Sequence, residues 1–258
     1  MDINSNRLIN ELYQFFLELG KFSLFIGNTF RNFFKPPFEH NEMLKQSYMV
    51  GYKSMPLIGL TALIMGIVLT MQTRPVLVDF GAQAVLPGMI SLSIIREIGP
   101  VITALLAAGK ISSGFGAEIA SMRITEQIDA MEVSGTNPIK YIVVSRVLAT
   151  TFMLPVLVIF ADFIGIYGSY IAINFTGNIS LQLFTDQAIN VLSFDDIIPA
   201  VIKTFVFGFF IGIIGCYKGY YANKGTESVG TAANTAVVVA SISIFIIDLF
   251  AVQIMEMM

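Results

Sequence analysis

The stretch SMPLIGLTALIMGIVLTMQT, residues Ser54–Thr73, decides the fold because it contains no charged residue. A helix needs about 20 mostly apolar residues to cross the hydrocarbon core of a bilayer, and this stretch is long enough. A second uncharged stretch, SVGTAANTAVVVASISIFII, occupies Ser228–Ile247. Both stretches therefore predict transmembrane helices, and we expect an integral membrane protein.

The composition of the whole chain agrees with a membrane location. Of its 258 residues 55% are hydrophobic and 13% are charged, whereas a soluble domain carries about 25% charged residues. The formal net charge of −3 gives no basic balance that would indicate a nucleic-acid partner. One cysteine, Cys216, excludes an internal disulfide framework, and one histidine, His40, leaves little for histidine-based catalysis. The sequence contains no Walker A pattern, so we expect no P-loop nucleotide site.

Three longer apolar stretches with occasional charges lie between the two uncharged ones. The sequence therefore predicts an all-α membrane protein that crosses the bilayer five times, near residues 53–73, 89–116, 139–175, 199–220 and 233–255. The third stretch is longer than one crossing needs. It either projects beyond the membrane or bends at Pro155, where proline removes a backbone hydrogen bond.

The placement of lysine and arginine predicts the orientation of these spans. Basic residues precede the first span and surround two of the four connections, the second-to-third and the fourth-to-fifth. They are Arg7, Lys21, Arg31, Lys35, Lys45, Lys53, Lys110, Arg123, Lys140, Arg146, Lys218 and Lys224. The opposite side holds Arg74 and the acidic residues Asp186, Asp195 and Asp196. We therefore expect a cytoplasmic N-terminus and, after five crossings, a periplasmic C-terminus.

Residues 1–37 are predicted to form an amphipathic helix ahead of a five-span domain at residues 38–258. Apolar residues recur at spacings of three and four, and they are Leu8, Leu12, Phe15, Leu19, Phe22, Ile26, Phe30 and Phe33. The opposite face is polar and carries Asn10, Gln14, Glu18, Lys21, Asn28 and Lys35. Such a helix lies in the membrane interface, and the alternative is a soluble helix packed on a partner. Pro36 and Pro37 end it.

The second span carries small residues four positions apart, which let helix backbones approach closely in lipid. These helix-packing residues are Ala104, Ala108, Ser112, Gly116 and Ala120. The pattern fits packing within one chain as well as an interface between two chains.

Four charged residues fall inside the predicted spans, namely Arg96, Glu97, Lys203 and Asp248. At about 1.5 Å per residue, all four reach a similar depth in the outer half of the membrane. An unpaired charge there is costly, so we expect these side chains to pair or to face water and to mark a functional pathway. A purely structural ion-pair network is the alternative, as is a Lys203 that extends to the surface.

The connection between the second and third spans, residues 121–138, predicts a short amphipathic helix near 123–134. Thr125 is expected to cap it and Ser134–Gly135 to end it. Asn137–Pro138 suits the start of the third span. A short helix held between two long ones could bind a partner and transmit its movement to the spans. A solvated turn without such a role is the alternative.

The segment IIREIGPVITALLAAGKISSGFGAEIASMRITEQIDAMEVSGTNPIKYIVVSRVL, Ile94–Leu148, resembles the signature of the MlaE/YrbE permeases. These are membrane subunits of ABC transporters that move phospholipid between bacterial membranes. The elements R-E-[IL]-G-P, A-G-[KR], A-E-[IL] and M-[RK]-x-T-E-Q-[IL] occur in the order of the family. Gln72, IKTFVFG around Lys203, CYKGYYANKGTESVGTAANTAVV and Asp248 are also similar. The resemblance covers about residues 50–256, and an arginine expected near Ala233–Asn234 is absent.

The resemblance implies a homodimeric permease of the bacterial inner membrane that moves phospholipid between the inner and outer membranes. A cytoplasmic ABC ATPase would hold ATP and magnesium, so no cofactor and no enzyme activity are expected in this chain. The short helix would be the coupling helix, with the ATPase contacts Arg123, Thr125, Glu126, Gln127, Asp129 and Glu132. A periplasmic MCE-domain lipid-binding protein and a STAS-domain subunit are further expected partners.

We hypothesise that two copies enclose an outward-open lipid cavity, whose residues are Arg96, Glu97, Lys203, Asp248 and Gln72. The cations would lie near the lipid phosphate and the carboxylates would balance them. A channel or proton-coupled transporter is a second interpretation, but the inner halves of the spans show no polar track. A membrane enzyme acting on lipid is a third interpretation. Such an enzyme ordinarily requires a Ser–His pair or clustered metal ligands, and His40 precedes the first span, on the wrong side for this chemistry.

Overall fold

The computed structural model describes residues 3–33, 35–36, 39–175, 177, 179–223 and 225–257, and these residues form helices and turns without any strand. Pro37 and Lys224 lie outside the described residues, as do the side chains of Arg7, Leu8, Asn10, Leu12 and Phe15. The α-helices of the described part are α1 (Ile3–Phe33), α2 (His40–Val50), α3 (Met55–Asp79), α4 (Leu86–Ser93), α5 (Gly99–Ala107), α6 (Ser113–Ile124), α7 (Gln127–Val133), α8 (Ser145–Asn174), α9 (Leu181–Asn190), α10 (Phe194–Tyr220) and α11 (Glu227–Met257).

Short turns of other helix types join several of these helices into longer stretches. The 3₁₀ turns are Tyr52–Ser54 and Gln83–Val85, and the π-helical turns are Ile94–Ile98, Ala108–Ser112 and Ile139–Val144. Five stretches are long and apolar enough to cross a membrane, and they are His40–Asp79, Gln83–Ile124, Ile139–Asn174, Phe194–Tyr220 and Glu227–Met255. The number and order of the spans are therefore confirmed.

The spans differ from the sequence prediction mainly in length. The first begins at His40 because α2 continues it, and the second runs through α6 to Ile124. The third is a 36-residue stretch whose helix α8 passes through Pro155 without interruption. At about 1.5 Å per residue it reaches about 54 Å, longer than a core of about 30 Å, which favours projection beyond the bilayer.

Glycines bring the backbones of the spans into direct contact. A Cβ at Gly66 of α3 would overlap the carbonyl of Gly165 in α8, so the first and third spans cross backbone to backbone. In α10, a Cβ at Gly208 would lie 2.6 Å from the Thr150 carbonyl oxygen of α8. On another face of α10, a Cβ at Gly215 would lie 2.8 Å from the Ser112 oxygen of the second span. Small residues at such crossings permit the close packing that holds helices together in lipid.

The small-residue ladder of the second span is used inside this chain. Its members Ala104, Ala108, Ser112, Gly116 and Ala120 are all buried. A Cβ at Gly116 would lie 3.1 Å from the carbonyl oxygen of Ala232 in α11, and Ser112 meets α10 as described above. Packing within one chain therefore accounts for the ladder.

Helix α1 packs across the end of the bundle where α10 finishes and α7 lies. Phe22 and Phe25 place their ring centroids 5.1 and 5.5 Å from that of Tyr217. Phe25 is not among the predicted apolar positions, and two of those positions, Leu19 and Phe30, are exposed. The α1 helix therefore divides its apolar residues between the bundle and its surroundings, and its location in a membrane interface stays a prediction.

Two short helices were not predicted, α2 and α9. Helix α9 lies at the opposite end of the bundle from α7, between α8 and α10, and it packs on α4. Its buried residues are Phe184 and Ala188, and the Ser180 hydroxyl accepts a hydrogen bond from the Leu183 N–H at 3.2 Å. A serine cap and a single apolar face are therefore enough to order this connection.

Candidate functional site

A charged cluster lies near the α9 end of the bundle, where the second, fourth and fifth spans meet. The Nζ atom of Lys203 donates to Glu97 Oε2 at 2.8 Å and to Asp248 Oδ1 at 3.0 Å. The Lys203 side chain is 2% exposed, whereas those of Glu97 and Asp248 are 41% and 19% exposed. A buried ammonium needs such partners because the loss of its hydration is otherwise uncompensated.

Arg96 belongs to the same end of the bundle but has a different partner. Its Nε donates to Asp196 Oδ1 at 2.6 Å, and its Nη2 contacts the same oxygen. The other oxygen of Asp196 accepts from the Ser193 N–H at 2.9 Å and from the Ser193 hydroxyl at 2.8 Å. This capping box begins α10, so the Arg96 ion pair attaches the start of the fourth span to the second.

A π-helical turn at Ile94–Ile98 presents Arg96 and Glu97 to this cluster. Pro100 follows it and has no N–H to donate to the carbonyl of Arg96, so the regular α-helical pattern cannot continue here. These two neighbouring side chains contact different parts of α10. Arg96 contacts Asp196 in its first turn, and Glu97 contacts Lys203 further along the helix. Turns of this kind are frequent at functional sites.

The structure brings together four of the five residues expected around the lipid cavity. Arg96 pairs with Asp196, however, and not with Glu97 or Asp248 as expected. Hydropathy alone places Asp196 in an outer loop, although Ser193-x-x-Asp196 is a capping-box pattern ahead of an apolar run and could have indicated the start of α10. Among contacts of the described residues, none joins Gln72 to the cluster.

Gln72 is exposed on α3, which packs mainly along α8. The structure therefore gives it no direct role in the ion pairs, and its contact with lipid stays a prediction.

The two cations of the cluster differ in what they can reach. Two carboxylates enclose the buried Lys203, whereas the Arg96 side chain is 48% exposed. A guanidinium has five N–H donors, and the hydrogen bonds with Asp196 use Nε and Nη2. Arg96 is therefore the cation of this cluster that can still bind an anionic ligand.

The short helix α7 lies at the other end of the bundle and is attached at three points. The Ile128 side chain is fully buried, Arg123 pairs with Asp129 at 2.5 Å, and the Tyr220 hydroxyl contacts Glu132 Oε1 at 3.4 Å. Helix α7 therefore rests on the end of α10 through Tyr220.

The expected ATPase contacts differ in exposure. The side chains of Glu126 and Gln127 are exposed, and Val133 at the end of α7 is 91% exposed. These residues leave one side of α7 open, and binding of the ATPase there stays a prediction.

The ends of α7 differ from the prediction at one terminus. The expectation that Thr125 caps the helix is wrong, because its hydroxyl donates back to the Ser121 carbonyl oxygen at 2.8 Å. Glu126 occupies the N-cap position with φ of 58°, and Arg123 belongs to the last turn of α6. At the other terminus α7 ends at Val133, and Gly135 follows it with φ of 79°.

Five apolar spans, ionisable residues paired inside three of them and a short helix at one end define a multi-pass membrane protein of the transporter class. Residues 43–254 match the family model described as "Permease MlaE". The chain belongs to this permease family.

Curated relatives agree with the family assignment. A Rickettsia felis protein named "Probable ABC transporter permease protein" is 36% identical over 242 residues, which cover 94% of this chain and 93% of that protein. A Synechocystis permease with a similar name is 37% identical, over 87% of this chain and 85% of its own length. The Arabidopsis thaliana protein TRIGALACTOSYLDIACYLGLYCEROL 1, chloroplastic, is 34% identical over 80% of this chain and 59% of its own length.

These matches give the role of the chain at a coarse level. It is a membrane permease subunit of an ABC transporter, without enzymatic activity of its own. ATP hydrolysis then takes place in a partner ATPase, in accordance with the absence of a Walker A pattern in the sequence.

Proposed function

We propose that this permease moves phospholipid between the inner and outer membranes, driven by ATP hydrolysis in a separate cytoplasmic subunit. The observation that carries the proposal is the half-exposed Arg96 beside a buried and fully paired Lys203. A planar guanidinium donates two hydrogen bonds to a phosphate, which suits it to a lipid headgroup. The printed name of the Arabidopsis relative contains the name of a diacylglycerol lipid, which also favours a lipid cargo.

The ion pairs give the cargo site two states. Lys203 joins the second, fourth and fifth spans through Glu97 and Asp248, so relative movement of these spans has to break at least one of its pairs. Arg96 can exchange Asp196 for a phosphate, which would release the start of α10 from the second span. Lipid affinity then changes with the arrangement of the spans, as ATP-driven transport requires.

Helix α7 is the coupling helix in this proposal. Closure of the ATPase would push on its exposed side, and the contact between Glu132 and Tyr220 would pass the movement to α10. Helix α10 also carries Asp196 and Lys203. One helix therefore joins the ATPase side to the cargo side.

A second copy would complete the cavity. The buried residues of α11 form one narrow stripe, namely Ala232, Ala236, Ala240 and Ile244. The rest of its apolar surface, including Phe245, Leu249 and Phe250, is exposed to lipid or to a partner. We place the homodimer in the bacterial inner membrane with a cytoplasmic N-terminus and a periplasmic C-terminus. The ATPase would hold ATP and magnesium, and the partners on this proposal are an MCE-domain protein and a STAS-domain subunit.

The substitution Arg96→Ala tests the cargo site. Loss of a charge-assisted hydrogen bond of about 1.5–3 kcal/mol corresponds to roughly 10- to 100-fold weaker retention of phospholipid. Phospholipid retention is measured by extracting the lipid from the purified complex and quantifying it by mass spectrometry. A vesicle assay measures the resulting change in phospholipid transport. Arg74→Ala, at the end of the first span, is the matched control. Native lipid content and transport in Arg96→Ala would exclude the assignment.

The double substitution Glu126→Lys/Asp129→Lys tests the coupling helix. Reversing two charges on its exposed side should prevent the ATPase from co-purifying. The change also removes the Arg123–Asp129 pair, and the buried Ile128 and the Glu132–Tyr220 contact then hold α7 in place. Glu39→Lys/Glu42→Lys reverses two charges at the same end of the bundle and should leave co-purification unchanged. Normal co-purification of the first variant would contradict the role of α7.

A further inference from the structure

A cavity opens at the α1 end of the bundle, far from the charged cluster. It lies between the last turn of α1, the first turn of α2 and the π-helical turn that begins the third span. Three elements that are separated in sequence thus form one cavity. Its lining has a polar and an apolar side, and these two sides define what it can bind.

The polar side of the cavity is cationic. Lys35, His40 and Lys140 line it together with Glu39. Within the described part of the chain, neither lysine ammonium has a carboxylate within ion-pairing distance. The two lysines and the one glutamate leave a net charge of +1, before any charge on the imidazole. Basic cavities of this kind next to membrane helices bind anionic lipid headgroups.

The other side of the cavity is apolar. Met43, Val144 and Leu148 form this wall, and Val144 is buried. An ammonium rim beside an apolar wall matches the chemistry of a phospholipid, in which a short glycerol unit joins the anionic phosphate to the acyl chains. A free anion would use the rim and leave the wall exposed to water, which is unfavourable for apolar surface.

A chain of side-chain amides fixes the cavity in shape. The Asn137 Nδ2 donates to Asn32 Oδ1 at 3.2 Å, and Asn32 Nδ2 in turn donates to the Asn28 carbonyl oxygen at 2.9 Å. The Asn137 side chain also accepts from the Lys140 N–H at 3.3 Å. These bonds hold the end of α1 beside the third span, so Lys35 and Lys140 meet at one rim before any ligand binds.

We propose that this cavity binds the headgroup and the first acyl carbons of an anionic phospholipid from the leaflet next to α1. The bound lipid joins α1 to the third span through the two lysines. The site lies at the opposite end of the bundle from Arg96, so it is separate from the cargo site proposed above. With the proposed cytoplasmic N-terminus, this leaflet is the cytoplasmic one.

The test uses the full chain purified with its partner subunits in nanodiscs of phosphatidylethanolamine and phosphatidylglycerol, with retained lipid counted by native mass spectrometry. Each cation near an anionic lipid contributes roughly a fivefold gain in affinity, so Lys35→Ala/Lys140→Ala should retain phosphatidylglycerol about 25-fold less well. The matched control, Lys45→Ala/Lys53→Ala, removes two exposed lysines at the same end that do not line the cavity. It should retain the lipid as the native protein does.

Three results would overturn the proposal: equal loss in both variants, equal retention of phosphatidylethanolamine by the native protein, or displacement of phosphatidylglycerol by inorganic phosphate at equal concentration. Lys35→Arg/Lys140→Arg keeps both charges and should keep the lipid, and its failure to do so would also count against a charged-headgroup site. Size-exclusion profiles and the co-purifying subunits report folding. The measurement needs neither nucleotide nor transport, so a negative result leaves the proposed phospholipid transport untouched.

Discussion

Replacing Lys203 with methionine removes the cation that Glu97 and Asp248 share, while a side chain of similar length keeps the buried space filled. The native ammonium lies 2.8 Å from one carboxylate and 3.0 Å from the other. After the substitution two carboxylates face one another with no cation between them. We expect a less stable protein, because repulsion replaces two ion pairs.

The structure sets the size of this effect. Removing one partner of a fully buried ion pair costs about 3–5 kcal/mol. Glu97 is 41% exposed, so water screens part of the repulsion and we expect a loss of about 2–3 kcal/mol in the free energy of unfolding. The variant Lys203→Met/Glu97→Gln/Asp248→Asn removes all three charges. Its loss should be below about 1 kcal/mol, because neutral groups of similar volume replace buried ions at little cost.

Unfolding by SDS in mixed micelles, followed by circular dichroism, measures these free energies, and vesicle assays measure transport. If the cluster serves transport, the triple variant should recover stability but not activity. A native-like stability of Lys203→Met, or a triple variant as unstable as the single one, would refute the ion-pair reasoning. A triple variant with native transport would instead limit the cluster to a structural role.

Two further substitutions test the packing and the coupling path. Gly66→Ala should lower the free energy of unfolding by about 1–3 kcal/mol, because its Cβ overlaps the backbone of α8. Gly20→Ala, which meets open space in α1, should be neutral or stabilising by up to about 1 kcal/mol in the same SDS titration. Tyr220→Phe removes the hydroxyl that contacts Glu132, so nucleotide-driven transport should fall by about two- to fivefold while the ATPase still co-purifies. Tyr221→Phe is its control, and equal transport in both variants would contradict the coupling path.

The five spans could be predicted because each depends on local composition alone. An uncharged stretch such as Ser54–Thr73 has no alternative to a bilayer or a protein core, and the chain is too short to provide so large a core. The assembly of Glu97, Lys203 and Asp248 could also be expected, since the rise per residue places them at one depth. The regular rise of a helix therefore predicts that Glu97 and Lys203 lie at the same depth, although they are 106 residues apart in the chain.

The remaining contacts depended on where helices begin and end. Hydropathy assigns Asp196 to a loop, but the capping box of Ser193 starts α10 early enough to bring this carboxylate to Arg96. Thr125 has the residue type of a helix cap but does not cap α7, because its hydroxyl donates to the Ser121 carbonyl oxygen in the preceding turn. Such choices are small differences in free energy that a pattern of residue types does not resolve.

The glycines of α10 also bear on how the fourth span can move. Gly208 and Gly212 meet α8, whereas Gly215 and Gly219 meet the second span, and backbone atoms of the neighbouring helix lie close at both of these contacts. Between these glycines the side chains of Phe207, Ile211 and Ile214 are fully buried in the core, so α10 is held by side-chain packing as well as by close backbone contact. Axial displacement of the fourth span therefore has to repack this core as well as break the ion pairs of Asp196 and Lys203.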